Sequence, residues 1–427
     1  MDFSKISDLL KAEVRPALGC TGPIGVSYAA AEARDAVGGT PIKIKIFCDK
    51  DTAAKNDDVG IPGTSVKGLK MAAALGAIAG DASAKLEVLN KVTAADEKTA
   101  YEFSLTENCI INPDWETPAI GFYVEAEVET ENGVGRAVVA KTHSKLVYKE
   151  ANGNVLYNEN LDRSKSLDES HDFASTISVD DVYEFVTKVP LEQIAWLREG
   201  IDMNRAMAQA SFDGKTGVGL GKSLLSRSQG DLIRKAKAYT AAGSEARMCG
   251  YSLPIMTCAT SGNAGITSTL ALLSMSEDLG KSEEQLIRSV AMACLTTVIV
   301  KNRIGRHSAM CACVVGASLG VAAGAAIMLG GGLNEVNMAI NNTIVNVIGV
   351  VCDGARAACG LKLGSASGIA IEGALLAMDG VCVPADEGIA GVDGKSSIDF
   401  MGRFAKTGMI DLDRVLCQAL YAKHHEL

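Results

Sequence analysis

Apolar residues recur at helical spacing at the start of the chain and at strand spacing soon afterwards. Ile6, Leu9 and Leu10 fall on one helical face, which predicts a helix over Phe3–Val14. The run Pro41–Phe47 alternates apolar and cationic side chains, which predicts a half-buried strand. Two more helices are predicted in this part of the chain, from Thr21 to about Val37 and through Met71, Ala74 and Ile78 with Thr64 as its cap.

The next part of the chain predicts β structure after two short helical stretches between Lys85 and Phe103. Three segments carry apolar residues at strand spacing: Leu105–Asn112, Ile120–Thr130 and Gly135–Val147. The last two are expected to form a hairpin across Glu131-Asn132-Gly133. The last strand carries His143, a minor candidate for proton transfer. The polar stretch from Lys149 to Asp180 is typical of a linker with a little local structure.

From Val182 onwards the pattern is almost purely helical. Helices are predicted over Val182–Lys188, Leu191–Ser211, Asp231–Gly243, Leu286–Val300 and Ile398–Ala405, with a last one reaching the C-terminus. The stretch His307–Asn334 has no Asp, Glu, Lys or Arg and is long enough to span a bilayer. Because it is rich in Gly, Ala, Ser and Cys and lacks an aromatic belt, we expect a helix buried in a helical domain instead.

These elements predict an α+β fold in two domains. Residues 1–180 should form a mixed α/β domain with a small antiparallel or mixed sheet. Residues 181–427 should form a mostly α-helical domain, on which the N-terminal helix can pack. A chain of 427 residues is too long for one ordinary core, which agrees with this division.

Composition narrows the range of functions. The formal net charge of −10 argues against a general nucleic-acid binder. The N-terminus lacks the layout of a signal peptide, and the twelve cysteines suit the reducing cytoplasm. We therefore expect a cytoplasmic protein that acts on a small molecule, without nucleic-acid or membrane partners. A homo-oligomer is compatible with the sequence.

Four cysteines in one segment are the main chemical signal. Cys311 and Cys313 form a Cys-x-Cys pair, and Cys352 and Cys359 lie seven positions apart. Two thiol pairs flanked by helices can converge on a metal centre. Buried cysteines also serve as small apolar residues, and no Cys-x-x-Cys pair occurs in the chain. Spacing alone leaves both interpretations open.

Other candidates stand near predicted helix starts. Cys20 precedes the helix at Thr21, where the helix dipole would stabilise a thiolate. Ser261 and Asn263 lie in a loop of small residues that leads into a helix, which suits a carboxylate ligand. Lys55 is a second candidate for holding an anion. A local cationic cluster precedes Cys311, and its members are Lys301, Arg303 and Arg306.

Several of these motifs, in this order, resemble the L-cysteine desulfidase family, which is related to the α-chain of iron–sulfur L-serine dehydratases. The resemblance runs nearly end to end. The motifs that carry it are Ala17-Leu18-Gly19-Cys20-Thr21, Lys55-Asn56, Gly60-Ile61-Pro62-Gly63-Thr64, Ala246-Arg247-Met248, Ser261-Gly262-Asn263, the run Ile304–Cys313, Cys352-Asp353-Gly354-Ala355 and Cys359.

The resemblance implies a [4Fe–4S] cluster held by three cysteines, with one iron left open. Cys352 and Cys359 match the family pattern directly. The third ligand is Cys311 or Cys313, and we expect Cys311 because Val315-Gly316 follows it as in the serine dehydratases. The family also implies that Cys20 is catalytic.

One departure from the family concerns Gly22, where the family usually has Glu. Gly25 also replaces a common Ala. The loss of that carboxylate could alter the substrate, the proton-transfer partner or the rate.

The predicted reaction is β-elimination of L-cysteine to pyruvate, ammonia and sulfide, without pyridoxal phosphate. Cys20 would remove the Cα proton while the open iron assists the leaving group. The residues expected to bind the substrate are Lys55, Asn56, Ser261, Asn263 and Arg306. L-serine dehydratase and a non-catalytic iron–sulfur sensor are the alternatives.

Overall fold

A computed structural model gives the fold of residues 2–18, 21–62, 64, 66–116, 121–163, 172–305, 308–385 and 387–425. The strands are β1 Pro16–Leu18, β2 Pro41–Asp49, β3 Cys109–Asp114, β4 Phe122–Thr130, β5 Gly133–Lys141, β6 Leu146–Ala151, β7 Asn154–Asn158 and β8 Pro254–Met256.

Helices account for most of the remaining described residues. They are α1 Phe3–Glu13, α2 Thr21–Val37, α3 Lys50–Lys55, α4 Leu69–Ala79, α5 Ala94–Ser104, α6 Asp172–Thr176, α7 Val179–Lys188, α8 Leu197–Phe212, α9 Leu220–Leu225, α10 Leu232–Met248, α11 Gly262–Asp278, α12 Glu283–Ile304, α13 Ala312–Met328, α14 Leu333–Val347, α15 Cys359–Met378, α16 Gly394–Arg403 and α17 Ile410–His425. Short 3-10 helices cover Ala82–Glu87 and Leu191–Gln193, and a π-helical turn covers Phe404–Gly408.

The chain divides into two compact units, and each contains segments from distant parts of the sequence. The helical unit comprises Met1–Gly19, Ser170–Cys352 and Arg356–Ile410. The α+β unit comprises Cys20–Glu169, Asp353–Ala355 and Asp411–Leu427. The α+β class predicted from the sequence is confirmed. The division differs from a single boundary at residue 180, because α1 belongs to the helical unit and most of α17 to the α+β unit.

The α+β unit is built on a six-stranded sheet in the order β3-β2-β4-β5-β6-β7. The β2–β3 pair is parallel and the other neighbours are antiparallel, so the sheet is mixed. Ile44 and Ile46 of β2 and Val124 of β4 alternate inward, and α2 packs over them. Gly76 of α4 lies against the Ser27 backbone of α2, where a β-carbon would lie 2.5 Å from Ser27 Cα. Small residues thus allow two helices to pack closely on one face of the sheet.

Several local predictions in this unit are confirmed and others are wrong. The β4–β5 hairpin turns at the predicted place, with Gly133 at a φ of +125°. The segment predicted as one strand over 135–147 is two strands, and His143 lies in the turn between them against the Phe122 ring. The predicted linker contains β7 and the end of β6. Cross-strand hydrogen bonding holds these strands. All five residues of β7 are exposed, and its three central residues are apolar, so it lacks the alternation that marks a half-buried strand.

The cap of α4 is a further correction. Gly68, not Thr64, stands at the N-cap, with a φ of +95°. The Thr64 hydroxyl instead donates to the Ile61 carbonyl at 2.9 Å, which closes a turn. A hydroxyl four or more residues before a helix can satisfy a turn as well as a cap, and the sequence did not distinguish the two.

The helical unit buries small residues between its helices. α13, the charge-free segment of the sequence, has Gly316, Gly320 and Gly324 on the side facing α12 and its neighbours, and a β-carbon at Gly320 would lie 2.5 Å from Thr297 Oγ1. The prediction of a buried helix is confirmed for this segment. Among the described residues, α15 is long and apolar enough to cross a membrane. Just over half of its apolar window, 56%, is buried inside the protein, and core helices of soluble proteins meet the same criteria.

Candidate functional site

Two cysteine-bearing segments of the helical unit pair through a short antiparallel bridge. Met310 and Val351 are the bridged residues. The Cys311 N–H donates to the Val350 carbonyl at 2.8 Å, and the Cys352 N–H donates to the Ala309 carbonyl at 2.8 Å. Main-chain hydrogen bonds therefore hold together the two segments that carry Cys311 and Cys352, although about forty positions separate them in the sequence.

The third predicted ligand, Cys359, is the first residue of α15. Its N–H donates to the Arg356 carbonyl at 2.9 Å. One turn later, the Lys362 ammonium donates to the Val351 carbonyl at 3.2 Å. α15 is thereby tied to the bridge next to Cys352.

The Cys311 thiol interacts with the other three thiols of the segment. A hydrogen bond with Cys352, together with burial, raises the pKa of the Cys311 thiol well above its ordinary value, and negative charge on Cys352, Cys313 and Cys359 would raise it further. Cys311 is buried, and the other three are half-buried. Cys311 thus lies near the other two predicted ligands, Cys352 and Cys359, and near Cys313.

This donor set fits an iron–sulfur cluster by its chemistry. All four donors are sulfur, the ligand type that such clusters take. Cys311 is the N-cap of α13 and Cys359 begins α15. The positive ends of these two helices favour thiolates, which are the ligating form of cysteine. Together, Cys311, Cys313, Cys352 and Cys359 are called the four-cysteine cluster.

Ser261 connects the four-cysteine cluster to the start of α11. Its hydroxyl oxygen caps the helix by accepting from the Ala264 N–H at 3.3 Å. The same oxygen lies 2.9 Å from Cys313 Sγ. Since the oxygen already serves as an acceptor, its own proton is available for donation to the sulfur.

The turn before Ser261 has an unusual backbone. Ala259 and Thr260 have φ values of +47° and +62°, a left-handed conformation that residues with a β-carbon rarely adopt. The buried ammonium of Lys301 donates to the Ala259 carbonyl at 2.6 Å. Cys258 and Ser261 close the turn with two main-chain hydrogen bonds of 3.0 Å. Strained turns of this kind cluster at binding and catalytic sites.

Asn263 joins this loop to α10. Its Oδ1 accepts from the Arg247 guanidinium at 3.2 Å and from the Ser244 hydroxyl at 3.3 Å. A β-carbon on Gly262 would lie 2.7 Å from Arg247 Cζ, so glycine is what lets the guanidinium approach the loop. Arg247 is buried, as is Asn263. Arg247 belongs to the motif Ala246-Arg247-Met248, but nothing in its local sequence indicates that it reaches this loop.

In the α+β unit, Lys55 belongs to a buried network of four charges. Its ammonium pairs with Asp51 and, at 2.8 Å, with Asp413 of α17. Lys50 pairs with Asp51 at 2.8 Å and also with Asp413. Burial alone would raise the pKa of Asp51, but the charges of Lys55 and Lys50 outweigh it and hold that pKa below its ordinary value. The predicted contact of Lys55 with a substrate carboxylate stays a prediction, and the structure shows its ammonium bonded to two carboxylates.

The oxygens of Asp51 and Asp413 and the sulfur of Cys417 lie within 4.8 Å of one another, which is close enough to hold a metal ion. Two lysine ammonium groups already balance these carboxylates. Burial raises the pKa of the Cys417 thiol to about 12, so the sulfur keeps its proton at neutral pH. The two lysines therefore balance the two carboxylates of this group.

Three sequence motifs meet around Lys55 and Asn56. The Lys55 carbonyl accepts from the Ala355 N–H at 2.9 Å, and Gly354, at a φ of +98°, packs against the same backbone. The Asn56 side chain lies against Gly22 in the first turn of α2.

The remaining predicted residues are Cys20 and the cationic cluster of Lys301, Arg303 and Arg306. Cys20 and Arg306 lie outside the described residues. Arg303 pairs with Asp399 at 2.9 Å and donates to the Ser175 carbonyl at 3.0 Å, whereas Lys301 is buried under the Ala259 turn. The described part of the predicted cationic cluster therefore consists of one lysine and one arginine, which make separate structural contacts.

Comparison with known proteins places this arrangement in a family. The family model described as serine dehydratase alpha chain matches residues 83–418, a range that includes the four-cysteine cluster together with Ser261 and Asn263. The chain belongs to the serine dehydratase alpha-chain family.

Relatives over the full length carry less specific names. A UPF0597 protein of Caldanaerobacter subterraneus subsp. tengcongensis is 36% identical over 99% of both chains. Those of Clostridium tetani and Phocaeicola vulgatus are 34% and 35% identical, each over at least 97% of both chains. These names state no activity. Membership in the family indicates a lyase-type enzyme, and the family is generally associated with iron–sulfur clusters.

Proposed function

We propose that this protein is an L-cysteine desulfidase, which converts L-cysteine to pyruvate, ammonia and sulfide, and that Cys311, Cys352 and Cys359 hold a [4Fe–4S] cluster. The observation that carries the proposal is the main-chain bridge that pairs the segments of Cys311 and Cys352, together with the polar loop at Ser261 that lies beside Cys313. A cluster held by three cysteines leaves one iron open, which supplies Lewis-acid assistance to the leaving group.

The residues of the α11 loop suit the substrate carboxylate. Arg247 supplies a buried positive charge, and its guanidinium can bind a carboxylate through two parallel N–H groups. Asn263 orients that guanidinium through its Oδ1. Ser261 donates from the N-cap of a 17-residue helix, whose positive end also favours an anion.

Proton removal from Cα is assigned to Cys20. The residue directly precedes Thr21, the first residue of α2. A thiol at the start of a helix ionises more readily, and a thiolate can act as a base. Loss of the Cα proton and cleavage of the Cβ–S bond give aminoacrylate and hydrosulfide. Aminoacrylate tautomerises to an imine, which water hydrolyses to pyruvate and ammonia.

The family description favours L-serine dehydratase as the second candidate. The same residues would act on it, and only the leaving group would differ. Elimination of hydroxide is harder than elimination of hydrosulfide, since hydroxide is the stronger base. The two functions therefore differ in the rates on L-cysteine and L-serine and not in the products of the carbon skeleton.

The experiment starts with anaerobic purification and analysis of iron and acid-labile sulfide. Pyruvate formation is then measured with L-cysteine and with L-serine. We expect about four irons per chain and a higher kcat/KM for L-cysteine. A faster reaction with L-serine would assign the protein to the second candidate. A cluster without pyruvate from either amino acid would indicate an iron–sulfur sensor, and full activity without iron would contradict the cluster.

A further inference from the structure

The left-handed turn at Ala259 and Thr260 is held by segments outside it. The Ala259 N–H donates to the Glu13 carbonyl, at the end of α1, at 3.0 Å. The Ala259 carbonyl accepts from the Thr260 hydroxyl at 2.7 Å and from the Lys301 ammonium at 2.6 Å. Among the described residues, Lys301 is therefore the partner that fixes this carbonyl from outside the turn.

The direction of the Ala259 carbonyl is coupled to the conformation of the turn. This carbonyl belongs to the peptide group between Ala259 and Thr260, so a flip of that group would change the φ of Thr260 from +62° and turn the oxygen away from Lys301. A left-handed φ is unfavourable for a β-branched residue, whereas a buried carbonyl that loses its partner is also unfavourable. The bond from Lys301 therefore opposes a flip that would relieve the strain of the turn.

The stem of Lys301 packs against the helix that carries Cys313. Lys301 belongs to α12, and a β-carbon on Gly316 of α13 would lie 3.1 Å from Lys301 Cγ. Gly316 follows Cys313 by three positions, about one turn, on α13. The Lys301 side chain thus passes α13 beside Gly316, and its ammonium ends at the turn that precedes Ser261.

One side chain therefore touches both segments of the contact between Ser261 and Cys313. Ser261 Oγ lies 2.9 Å from Cys313 Sγ. Ser261 directly follows the turn that Lys301 holds, and Cys313 lies one turn before the glycine that its stem contacts. Lys301 is thus placed to fix the separation of the α11 loop from the start of α13.

The charge of Lys301 argues for a role beyond packing. Its side chain is buried, and within the part of the chain that the structure describes no carboxylate lies within ion-pair distance of its ammonium. A buried charge without an ion-pair partner is unfavourable, and a methionine would fill similar space without that cost. The ammonium supplies what methionine lacks, an N–H donor for the Ala259 carbonyl and a positive charge beside the loop that is proposed to bind a carboxylate.

We propose that Lys301 is a positioning residue, which holds the Ala259–Thr260 turn in its left-handed conformation and thereby sets Ser261 and the start of α11 to bind the substrate carboxylate. This inference rests on the proposed function. Lys301 acts through the turn and not through contact with the substrate. Its loss weakens the binding of molecules with a carboxylate and leaves the binding of thiols without one unchanged.

The test compares two small thiols by isothermal titration calorimetry under nitrogen, with the anaerobically purified protein and its Lys301→Met variant. 3-Mercaptopropionate carries a carboxylate, and cysteamine has an ammonium group and no carboxylate. If the turn keeps its binding conformation for only about a tenth of the time, Kd for 3-mercaptopropionate should rise about tenfold. Kd for cysteamine should change by less than about twofold, because this ligand does not use the loop.

Three results would overturn the inference. They are an unchanged Kd for 3-mercaptopropionate in Lys301→Met, an equal loss for both thiols, and a failure of the unmodified protein to bind 3-mercaptopropionate. If the unmodified protein binds 3-mercaptopropionate but forms pyruvate from neither L-cysteine nor L-serine, the proposed function fails. The two dissociation constants still decide the role of Lys301 in that case.

Lys237→Met is the matched control. Lys237 is a half-buried lysine of α10 whose stem packs against Gly368 of α15, so the same change is made at a lysine that also lies over a glycine. Both dissociation constants should stay within about twofold of those of the unmodified protein. Iron analysis and urea unfolding of each variant exclude loss of the cluster or of the fold, and Lys301→Leu provides a second apolar variant if Lys301→Met does not fold.

A double-mutant cycle with Thr260→Gly tests whether Lys301 acts through the turn. Thr260 is exposed, and glycine adopts a φ of +62° without steric cost, so the turn then depends less on Lys301. In the Thr260→Gly background, Lys301→Met should raise Kd for 3-mercaptopropionate by less than about threefold. A rise of about tenfold in both backgrounds would show that Lys301 does not act through the turn, which would overturn the inference.

Discussion

At the scale of single residues, the structure distinguishes the surroundings of Cys313 from those of Cys311. The sequence left Cys311 and Cys313 as alternatives for one ligand position. The structure makes Cys311 the buried N-cap of α13 and places Cys313 against the Ser261 hydroxyl at 2.9 Å. Cys313 thus lies beside the loop that is proposed to hold the substrate carboxylate, and Cys311 remains the proposed ligand.

The ligand assignment predicts unequal effects of cysteine substitutions. Cys359→Ala should lower the bound iron to below about half that of the unmodified protein, because three thiolates are needed to hold a cluster with one open iron. Cys313→Ala should retain most of the iron. Cys382→Ala, a half-buried thiol whose sulfur contacts the Met338 carbonyl, is the matched control and should retain all of it. Iron and sulfide analysis after anaerobic purification gives the answer, and equal iron in Cys359→Ala and Cys382→Ala would reject the assignment.

The strained turn before Ser261 gives a prediction on stability. Ala259→Gly should raise the free energy of unfolding by up to about 1 kcal/mol, since glycine adopts a φ of +47° without the steric cost of a β-carbon. Ala264→Gly, in the first turn of α11, is the control and should lower that free energy by about 1 kcal/mol. Urea unfolding at neutral pH measures both. A loss of stability in Ala259→Gly would mean that the turn is not strained.

At the scale of elements, glycines allow helices to pack closely, and a few buried charges join one helix to another. α12 and α13 are in contact along much of their length, and Gly320 lies close to the Ala293 carbonyl and Thr297 of α12. Gly320→Ala should lower the free energy of unfolding by about 1–3 kcal/mol, because the added methyl group overpacks this contact. Gly349, around which no heavy atom would meet a β-carbon within 4 Å, offers the control Gly349→Ala. Equal urea midpoints for the two variants would contradict the close packing.

The four-charge network joins α17 to α3 inside the α+β unit and makes stability depend on pH. The pKa of Asp51 is lower in the folded protein than its ordinary value near 4, so the network stabilises the fold above that pH. As the pH falls below about 4, Asp51 must take up a proton on unfolding, and this stabilisation is progressively lost.

The corresponding variant is Asp51→Asn. It should be less stable than the unmodified protein at pH 7 by about 3 kcal/mol or more, because a buried lysine loses a partner. Its free energy of unfolding should also depend less on pH between about 5 and 3. Asp202→Asn, which breaks an exposed pair with Arg198, is the control and should cost less than about 1 kcal/mol. Urea unfolding at pH 7, 5, 4 and 3 gives both quantities, and parallel curves for Asp51→Asn and the unmodified protein would reject the network's role.

At the scale of the whole molecule, cluster binding should be linked to stability. A ligand that binds only the folded protein raises its unfolding temperature, and a cluster on three thiols from distant segments is such a ligand. We expect the protein purified anaerobically to unfold several degrees higher than after oxidative removal of iron. In Cys359→Ala the two preparations should unfold at similar temperatures. Calorimetry under nitrogen measures the difference, and equal temperatures for loaded and iron-free unmodified protein would contradict a cluster held by folded segments.

Much of the architecture was predictable because local patterns determine local structure. The amphipathic helix α1, the alternating strand β2 and the helix α2 appear where the spacing of apolar residues indicates them, and α11 begins directly after its N-cap, Ser261. The strands β6 and β7 were less predictable, since β6 buries one residue and β7 buries none, so neither alternates between buried apolar and exposed polar residues. The candidate site was predictable only as a set of motifs, and Arg247 joined it because Gly262 admits its guanidinium.

The sequence by itself determined the α+β class, most of the elements and the residue types of the site, because these depend on neighbours within one or two turns of the chain. Only the tertiary structure decided which distant groups meet: Cys311 with Cys352, Ser261 with Cys313, Asn263 with Arg247, Lys55 with Asp413 and Asn56 with Gly22. These contacts arise from main-chain bridges, glycines and buried charges contributed by segments far apart in the chain. Such pairings depend on the packing of the whole fold, and no local pattern contains them.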